Sequence, residues 1–183
     1  MAVDATGFSS RLYQRWHDVR RSRRKKRKAF VKLHFCVDAF SLLIYSFKAT
    51  AGSKADSPEL KHLLKGLWSL GKVCADKAYL SRSNCKLIAR HGADPFIALK
   101  KNVHRIRSKG YPAWRRMIVS YRRDKKAWLK EYHHRSIAES AISSIKRRFG
   151  HKLLSSSRRC QKNELRLRVI TYNLCLIARM NQI

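Results

Sequence analysis

Acidic residues are scarce in this chain. Asp and Glu together number 11 against 43 Lys and Arg in 183 residues, a formal net charge of +32. An excess this large exceeds what solubility needs and implies a polyanionic partner; nucleic acid is the default and a membrane surface the weaker alternative. Long apolar runs are missing as well. The longest uncharged stretches, Ala39–Phe47 and Val169–Ala178, are about half of the ~18–20 residues a membrane-spanning helix needs. No secretory signal is visible, so the expected location is the cytoplasm, with no membrane partner. The five cysteines (Cys36, Cys74, Cys85, Cys160 and Cys175) form no CxxC pair, which argues against a zinc ribbon, and their odd number fits a reducing compartment. The eight histidines show no HExxH spacing.

The basic residues present are unevenly spread. Arg20, Arg21, Arg23, Arg24, Lys25, Lys26, Arg27 and Lys28 fill eight of nine consecutive positions. A block of like charge repels itself until it meets an anion, so this segment is expected to bind phosphates. A solvated loop is the plain reading of the same residues, and the two are compatible.

Along the chain, apolar patterning predicts alternating element types. Met1–Phe8 reads as a short strand carrying Asp4. Phe30–Asp38 alternates, with Leu33, Phe35 and Val37 on one face, and Leu42–Ala49 is a second β-rich run close enough to make a hairpin. Ser57-Pro58-Glu59 reads as a helix start, with Asp56 a plausible cap and a stripe of Leu60, Leu63, Leu64 and Leu67 running to Gly71. Lys72–Asp76 is a short buried strand ending on an acid. Ser81–Arg90 is a helix closed at Gly92, and residues 95–99 are a last strand. Residues 100–112 read as a basic loop, 113–130 and 135–149 as helices, 155–159 as a short polar linker and 161–180 as a final helix. The stripe of that final helix, from Leu165, Val169, Tyr172 and Leu176 with Ile170 and Ile177, is wide enough to pack on a sheet or a partner. The order predicts a mixed α/β sheet with helices on its faces and a single domain over 1–183.

The run from Tyr132 to Lys146 carries the most information. Tyr132, Arg135, Glu139 and Lys146 are separated by three, four and seven residues. On a helix these steps align Arg135, Glu139 and Lys146, placing cations one and two turns from one carboxylate. That suits phosphate and metal. Ser136-x-x-Glu139 is equally a legitimate capping box, which needs no catalysis. Of the other acids, Glu59, Asp124 and Glu131 sit at a helix start or among cations. Asp18, Asp94 and Glu164 show no pattern and read as surface. Asp4, Asp38 and Asp76 each flank an apolar strand, where an acid is costly unless paired, solvated or on a metal. Asp38 has a simple role as a turn residue; Asp4 and Asp76 do not. Trp114, Trp128, Tyr121 and Tyr132 lie among cations; the two tryptophans read as core, and a base-stacking role is the alternative.

The pattern Tyr-x2-Arg-x3-Glu-x6-Lys resembles the signature of a group of DDE transposases from bacterial and archaeal insertion sequences. Val-Asp-Ala-Thr-Gly-Phe at 3–8 and Ala-Asp-Lys-Ala-Tyr at 75–79 look like the motifs around that group's first and second catalytic Asp, and residues 32–34 and 50–60 are similar too. The resemblance implies a ribonuclease-H-like mixed five-stranded sheet flanked by helices. It implies catalytic and metal-binding roles for Asp4, Asp76 and Glu139, holding two Mg2+ ions with Mn2+ able to substitute. It implies phosphate binding by Tyr132, Arg135 and Lys146, double-stranded DNA (element ends and target) as partner, a homodimer on DNA, and association with the nucleoid. The expected activity is DNA cleavage and strand transfer. Relatives usually carry more chain before the first Asp, with helices that read the element's ends. The chain is therefore expected to be an N-terminally truncated catalytic domain, and an inactive DNA-binding remnant is the alternative. A junction-resolving or repair nuclease fits the acids but not the Tyr–Arg–Glu–Lys spacing.

Overall fold

The computed structural model describes residues 1–10, 30–100, 103 and 111–182. The chain forms two compact units. The first comprises Met1–Ala5, His34–Lys48 and Ala55–Ile142; the second comprises Thr6–Leu33, Ala49–Lys54 and Ser143–Ile183. The architecture is mixed α/β. Strands β1 (Ala2–Ser10), β2 (Phe30–Val37), β3 (Ile44–Ala51), β4 (Gly71–Ala75) and β5 (Ala93–Ile97) lie in the order β3-β2-β1-β4-β5, and a short β6 (Lys152–Leu153) pairs with β1. The expected five-stranded path is thus joined by a two-residue sixth strand. Helices α1 (Leu60–Leu63), α2 (Arg82–Arg90), α3 (Pro112–Arg123), α4 (Lys125–Tyr132), α5 (Ser136–Phe149) and α6 (Arg158–Met180), with 3-10 turns at Ser57–Glu59, Lys77–Tyr79 and His133–Arg135, complete the described elements.

In the first unit β1 runs parallel to β4, with Ala2 opposite Cys74 and Val3 opposite Ala75, and β4 runs parallel to β5 from Gly71–Ala93 to Ala75–Ile97. Both β4 neighbours being parallel explains why Val73, Cys74 and Ala75 are all buried rather than alternating. The β2–β3 pairing is a hairpin. The Asp38 N–H donates to the Leu43 carbonyl at one end, and the Gly52 N–H donates to the Phe30 carbonyl at the other. At the tip, the Asp38 carboxylate accepts from the N–H groups of Phe40 and Ser41 and from the Ser41 hydroxyl, the turn role its position suggested.

The core of this unit gathers Val3, Leu60, Leu64, Val73, Ile88 and Trp128. Its helices differ from expectation in two places. The helix after Ser57 is one turn of 3-10 followed by only Leu60–Leu63, because Gly66 takes a left-handed φ of +78° and turns the chain away. Asp56 makes no capping bond there; its carboxylate stands 3.5 Å from His34 Nδ1. The single helix expected over 113–130 is two, α3 and α4. Asp124 adopts an extended conformation between them and its carboxylate accepts from the Ala127 N–H at 2.9 Å, starting α4 afresh. By contrast α2 has the limits read from sequence: the Ser81 hydroxyl accepts from the Asn84 N–H, and Gly92 closes it at φ +69°.

In the second unit β1 reaches further than expected, to Ser10, and pairs in parallel with β6 through Ser9–Lys152 and Ser10–Leu153. Helix α6 buries Leu165, Val169 and Tyr172. Arg168, also buried, donates to the carbonyls of Gly150 and Lys152, each at 2.7 Å, and to Glu164 at 2.6 Å. Glu164 in turn accepts from the N–H groups of Leu154 and Ser155. It reads as surface in the sequence; in the fold it anchors the segment that follows β6. No helix among the described residues is long and apolar enough to cross a membrane.

Candidate active site

Strands β1 and β4 set Asp4 and Asp76 at neighbouring positions, and Arg135 links Asp4 to Glu139 on α5. The β1–β4 register pairs Val3 with Ala75, and the next residue on each strand is an acid, Asp4 and Asp76. Each carboxylate has one oxygen held by the following peptide: Asp4 Oδ1 accepts from the Ala5 N–H at 2.8 Å and Asp76 Oδ1 from the Lys77 N–H at 2.7 Å. The second bond caps the short 3-10 turn Lys77–Tyr79. Both bonds tie one carboxylate oxygen to the backbone.

Arg135 supplies the link to the helix. Its Nη2 donates to Glu139 Oε1 at 2.5 Å across one turn, and its Nη1 lies 3.9 Å from Asp4 Oδ2. The capping box is not made: the Ser136 hydroxyl donates to the His133 carbonyl, and Glu139 turns to Arg135 instead of back to its own helix start. Tyr132 precedes this group. Its ring stacks on Trp128 with centroids 5.4 Å apart and 12° between planes, so the core reading of Trp128 holds and the stack fixes Tyr132 beside Arg135.

The charges show in the titration of Asp4. Burial pushes its carboxyl above the usual range, and the like charges of Asp76 and Glu139 push the same way; the Ala5 N–H and Arg135 offset only part of this. Burial works against the Arg135 charge, but Tyr132, Glu139 and Asp4 outweigh it and hold the guanidinium ionised. Burial also raises the Tyr132 phenol.

Lys146 belongs to the second unit. Its ammonium donates to the Thr6 hydroxyl at 2.7 Å and stands 5.3 Å from the centre of the Phe8 ring. Nothing in its spacing from Glu139 announces Thr6 as a partner. Arg20, Arg21, Arg23, Arg24, Lys25, Lys26, Arg27 and Lys28 lie outside the described residues.

Carboxylate oxygens are by their chemistry ligands for a hard cation, but here the Arg135 guanidinium stands between two of the three, Asp4 and Glu139. Among the described residues no three His, Cys, Asp or Glu side chains are gathered closely enough to hold a metal ion. Thiol ligation has no footing either. Cys36, Cys74 and Cys85 are buried, with thiols pushed by that burial up to about 12, 11 and 12.

The family model for the transposase DDE domain covers residues 1–174. No curated protein and no solved structure matches the chain.

Proposed function

Since this chain belongs to the transposase DDE domain family, we propose that it is the catalytic domain of an insertion-sequence transposase that cleaves DNA at the element's ends and joins them to a target. The family is one of DNA phosphoryl-transfer enzymes, and its domains generally use divalent metal ions. The observation that supports the reading is that Asp4 and Asp76 follow paired residues of the parallel neighbours β1 and β4, while Arg135 reaches both Asp4 and Glu139. A ribonuclease-H-like arrangement of the sheet, as one catalytic domain, accords with Asp4 and Asp76 leaving parallel neighbours.

Asp4, Asp76 and Glu139 would hold the ions, Mg2+ or in its place Mn2+. When bound, such ions supply a more acidic water or 3′-hydroxyl and stabilise charge on the leaving oxygen. The chain's own residues do the rest. Asp4 and Asp76, each tied to the backbone through one oxygen, would present the other to an ion. Arg135 can exchange its carboxylate partners for two oxygens of one phosphate, since its planar fork matches both geometries. Tyr132 keeps that fork in place from its stack on Trp128. Lys146 offers a point charge to an adjacent phosphate, and residues 20–28 follow the duplex backbone without reading sequence. The reaction replaces one P–O bond by another, with water attacking in cleavage and a 3′-hydroxyl in strand transfer, and a 3′-oxygen leaves in both. The protein would act as a homodimer on double-stranded DNA, at the nucleoid.

A second reading, DNA binding without cleavage, draws on the Arg135–Glu139 ion pair, which commits a proposed ligand to a neighbouring cation. One experiment separates them: Mg2+-dependent cleavage of duplexes carrying the element's terminal repeats. Cleavage that disappears with EDTA supports the enzyme, and binding without cleavage supports the second reading.

A further inference from the structure

Tyr79 buries a hydroxyl that the fold does not use. The residue is 1% exposed, and its hydroxyl has no hydrogen-bond partner among the described residues. Packing does not call for it, since phenylalanine would fill the same core position without an unmet donor. The rest of the residue is held firmly. Tyr79 ends the 3-10 turn that Asp76 caps, its N–H donates to the Asp76 carbonyl at 2.9 Å, and its own carbonyl accepts from the amide of buried Asn84 at 2.7 Å. The same amide donates to the Ser57 hydroxyl at 3.0 Å, so the backbone that carries the ring is tied both to Asp76 and to the turn at Ser57. Three acids of the first unit act on the phenol. Burial pushes its titration up, and the charges of Asp56, Asp4 and Asp76 push the same way, in that order.

We propose that Tyr79 is a positioning residue of the carboxylate site: its hydroxyl donates, through one enclosed water, to Asp4 Oδ2 and holds that carboxylate for a cation. Its use in catalysis rests on the reading of Asp4 and Asp76 as metal ligands. No carboxylate stands within bonding distance of the hydroxyl, so one water is the shortest link, and an enclosed place with several acceptors suits it. Of the three acids, Asp4 is the one in want of a donor. Asp56 has the His34 imidazole 3.5 Å away. The Asp76 bond to the Lys77 N–H lies at the surface, where solvent serves the other oxygen. Asp4 is partly buried; its Oδ1 accepts from the Ala5 N–H, and its Oδ2 has Arg135 at 3.9 Å, beyond hydrogen-bond reach. A neutral donor also fits the chemistry. Another Lys or Arg here would compete with a cation for the carboxylates, whereas a phenol orients them and adds no charge. When Arg135 passes to a phosphate, Tyr79 keeps Asp4 in place.

The link itself is tested on the full chain without metal or DNA. With EDTA present, Tyr79→Phe should lower Tm by roughly 2–4 °C in the parent and by under ~1 °C in an Asp4→Ala background, a coupling that a double-mutant cycle reads. In an Asp56→Ala background Tyr79→Phe should keep its full effect. Additive changes at Tyr79 and Asp4, or coupling to Asp56 alone, overturn the proposal. The positioning role is tested by Mn2+ binding, read without DNA from the spin-resonance signal of the free ion. Tyr79→Phe should weaken that binding about tenfold, the scale for losing a group that orients a metal ligand, with an unchanged circular dichroism spectrum. A hydroxyl that serves packing alone would leave Mn2+ affinity as in the parent, and that result overturns the positioning role. A parent chain that binds no Mn2+ counts against Asp4 and Asp76 as metal ligands, and the thermal cycle then decides by itself whether Tyr79 holds Asp4.

Discussion

Arg135 Nη2, at the end of the 3-10 turn His133–Arg135, and Glu139 Oε1, in the first turn of α5, lie 2.5 Å apart, and the same guanidinium extends to Asp4 on β1. One cation therefore ties the proposed helix ligand to the proposed strand ligand. If Arg135 passes from these carboxylates to a phosphate, its fork shape matters as much as its charge. Arg135→Lys should keep overall DNA affinity within about threefold and lower cleavage by roughly 10–100-fold, because a point charge cannot make the paired contact. Binding and single-turnover cleavage measured on one duplex check this; a Lys variant that cleaves like the parent would show that charge alone suffices.

The titration of Asp4 makes a stability prediction with a definite sign. Its carboxyl is raised in the folded chain, chiefly by burial. The folded state therefore binds this proton more tightly than the unfolded state. Its contribution to stability is full below the ordinary carboxylate range and is lost as pH rises through the raised value. At pH 7 the charged, half-desolvated Asp4 is a cost. Asp4→Asn should raise Tm at pH 7 by roughly 2–4 °C, the scale of about 1 kcal/mol in a domain this size, and the gain should shrink toward pH 4. Melting curves at the two pH values decide it, and a variant less stable at pH 7 would mean that the Arg135 contact outweighs the desolvation.

Arg168 is the buried charge most fully committed to structure in the second unit. Its partners are two carbonyls and Glu164. Arg168→Met leaves those acceptors unpaired inside the fold and should cost about 3 kcal/mol or more, a fall in Tm of roughly 6–12 °C. Glu164→Gln retains an acceptor for Leu154 and Ser155 and should cost less. Equal losses would place the anchor in the carboxylate.

The basic run at 20–28 makes a prediction about salt. Each phosphate it neutralises contributes about −0.9 to the slope of log K against log salt concentration. Changing Arg23, Arg24, Lys25 and Lys26 to Gln should flatten the slope by two or more and weaken binding to all sequences alike. An unchanged slope would show that the run stays in solvent when DNA binds.

How far these features were legible depended on the range of the interaction. The neighbouring placement of Asp4 and Asp76 was readable because each lies beside apolar strand residues with no turn to explain it. The limits of α2 were readable because Ser81 and Gly92 act within a turn of their own positions. The break at Asp124 was not: apolar residues from Met117 to Trp128 continue at helical spacing across it, and only the backbone of one residue departs. Glu164 looked idle because the N–H groups it holds, those of Leu154 and Ser155, lie ten and nine residues upstream. Ser136 and Glu139 could satisfy a capping box or leave it unmade with the same letters. The choice was settled by Arg135, which stands within reach of both Glu139 and a strand distant in sequence.

The central claim is that Glu139 acts in DNA cleavage and not only in an ion pair. The most direct measurement compares the parent with Glu139→Gln on the same terminal-repeat duplex in Mg2+, with binding and cleavage read together. The account predicts binding within about twofold of the parent, cleavage lowered by at least ~100-fold, and no recovery when Mn2+ replaces Mg2+. A Glu139→Gln protein that cuts DNA as fast as the parent would contradict it and leave Glu139 as the partner of Arg135 alone.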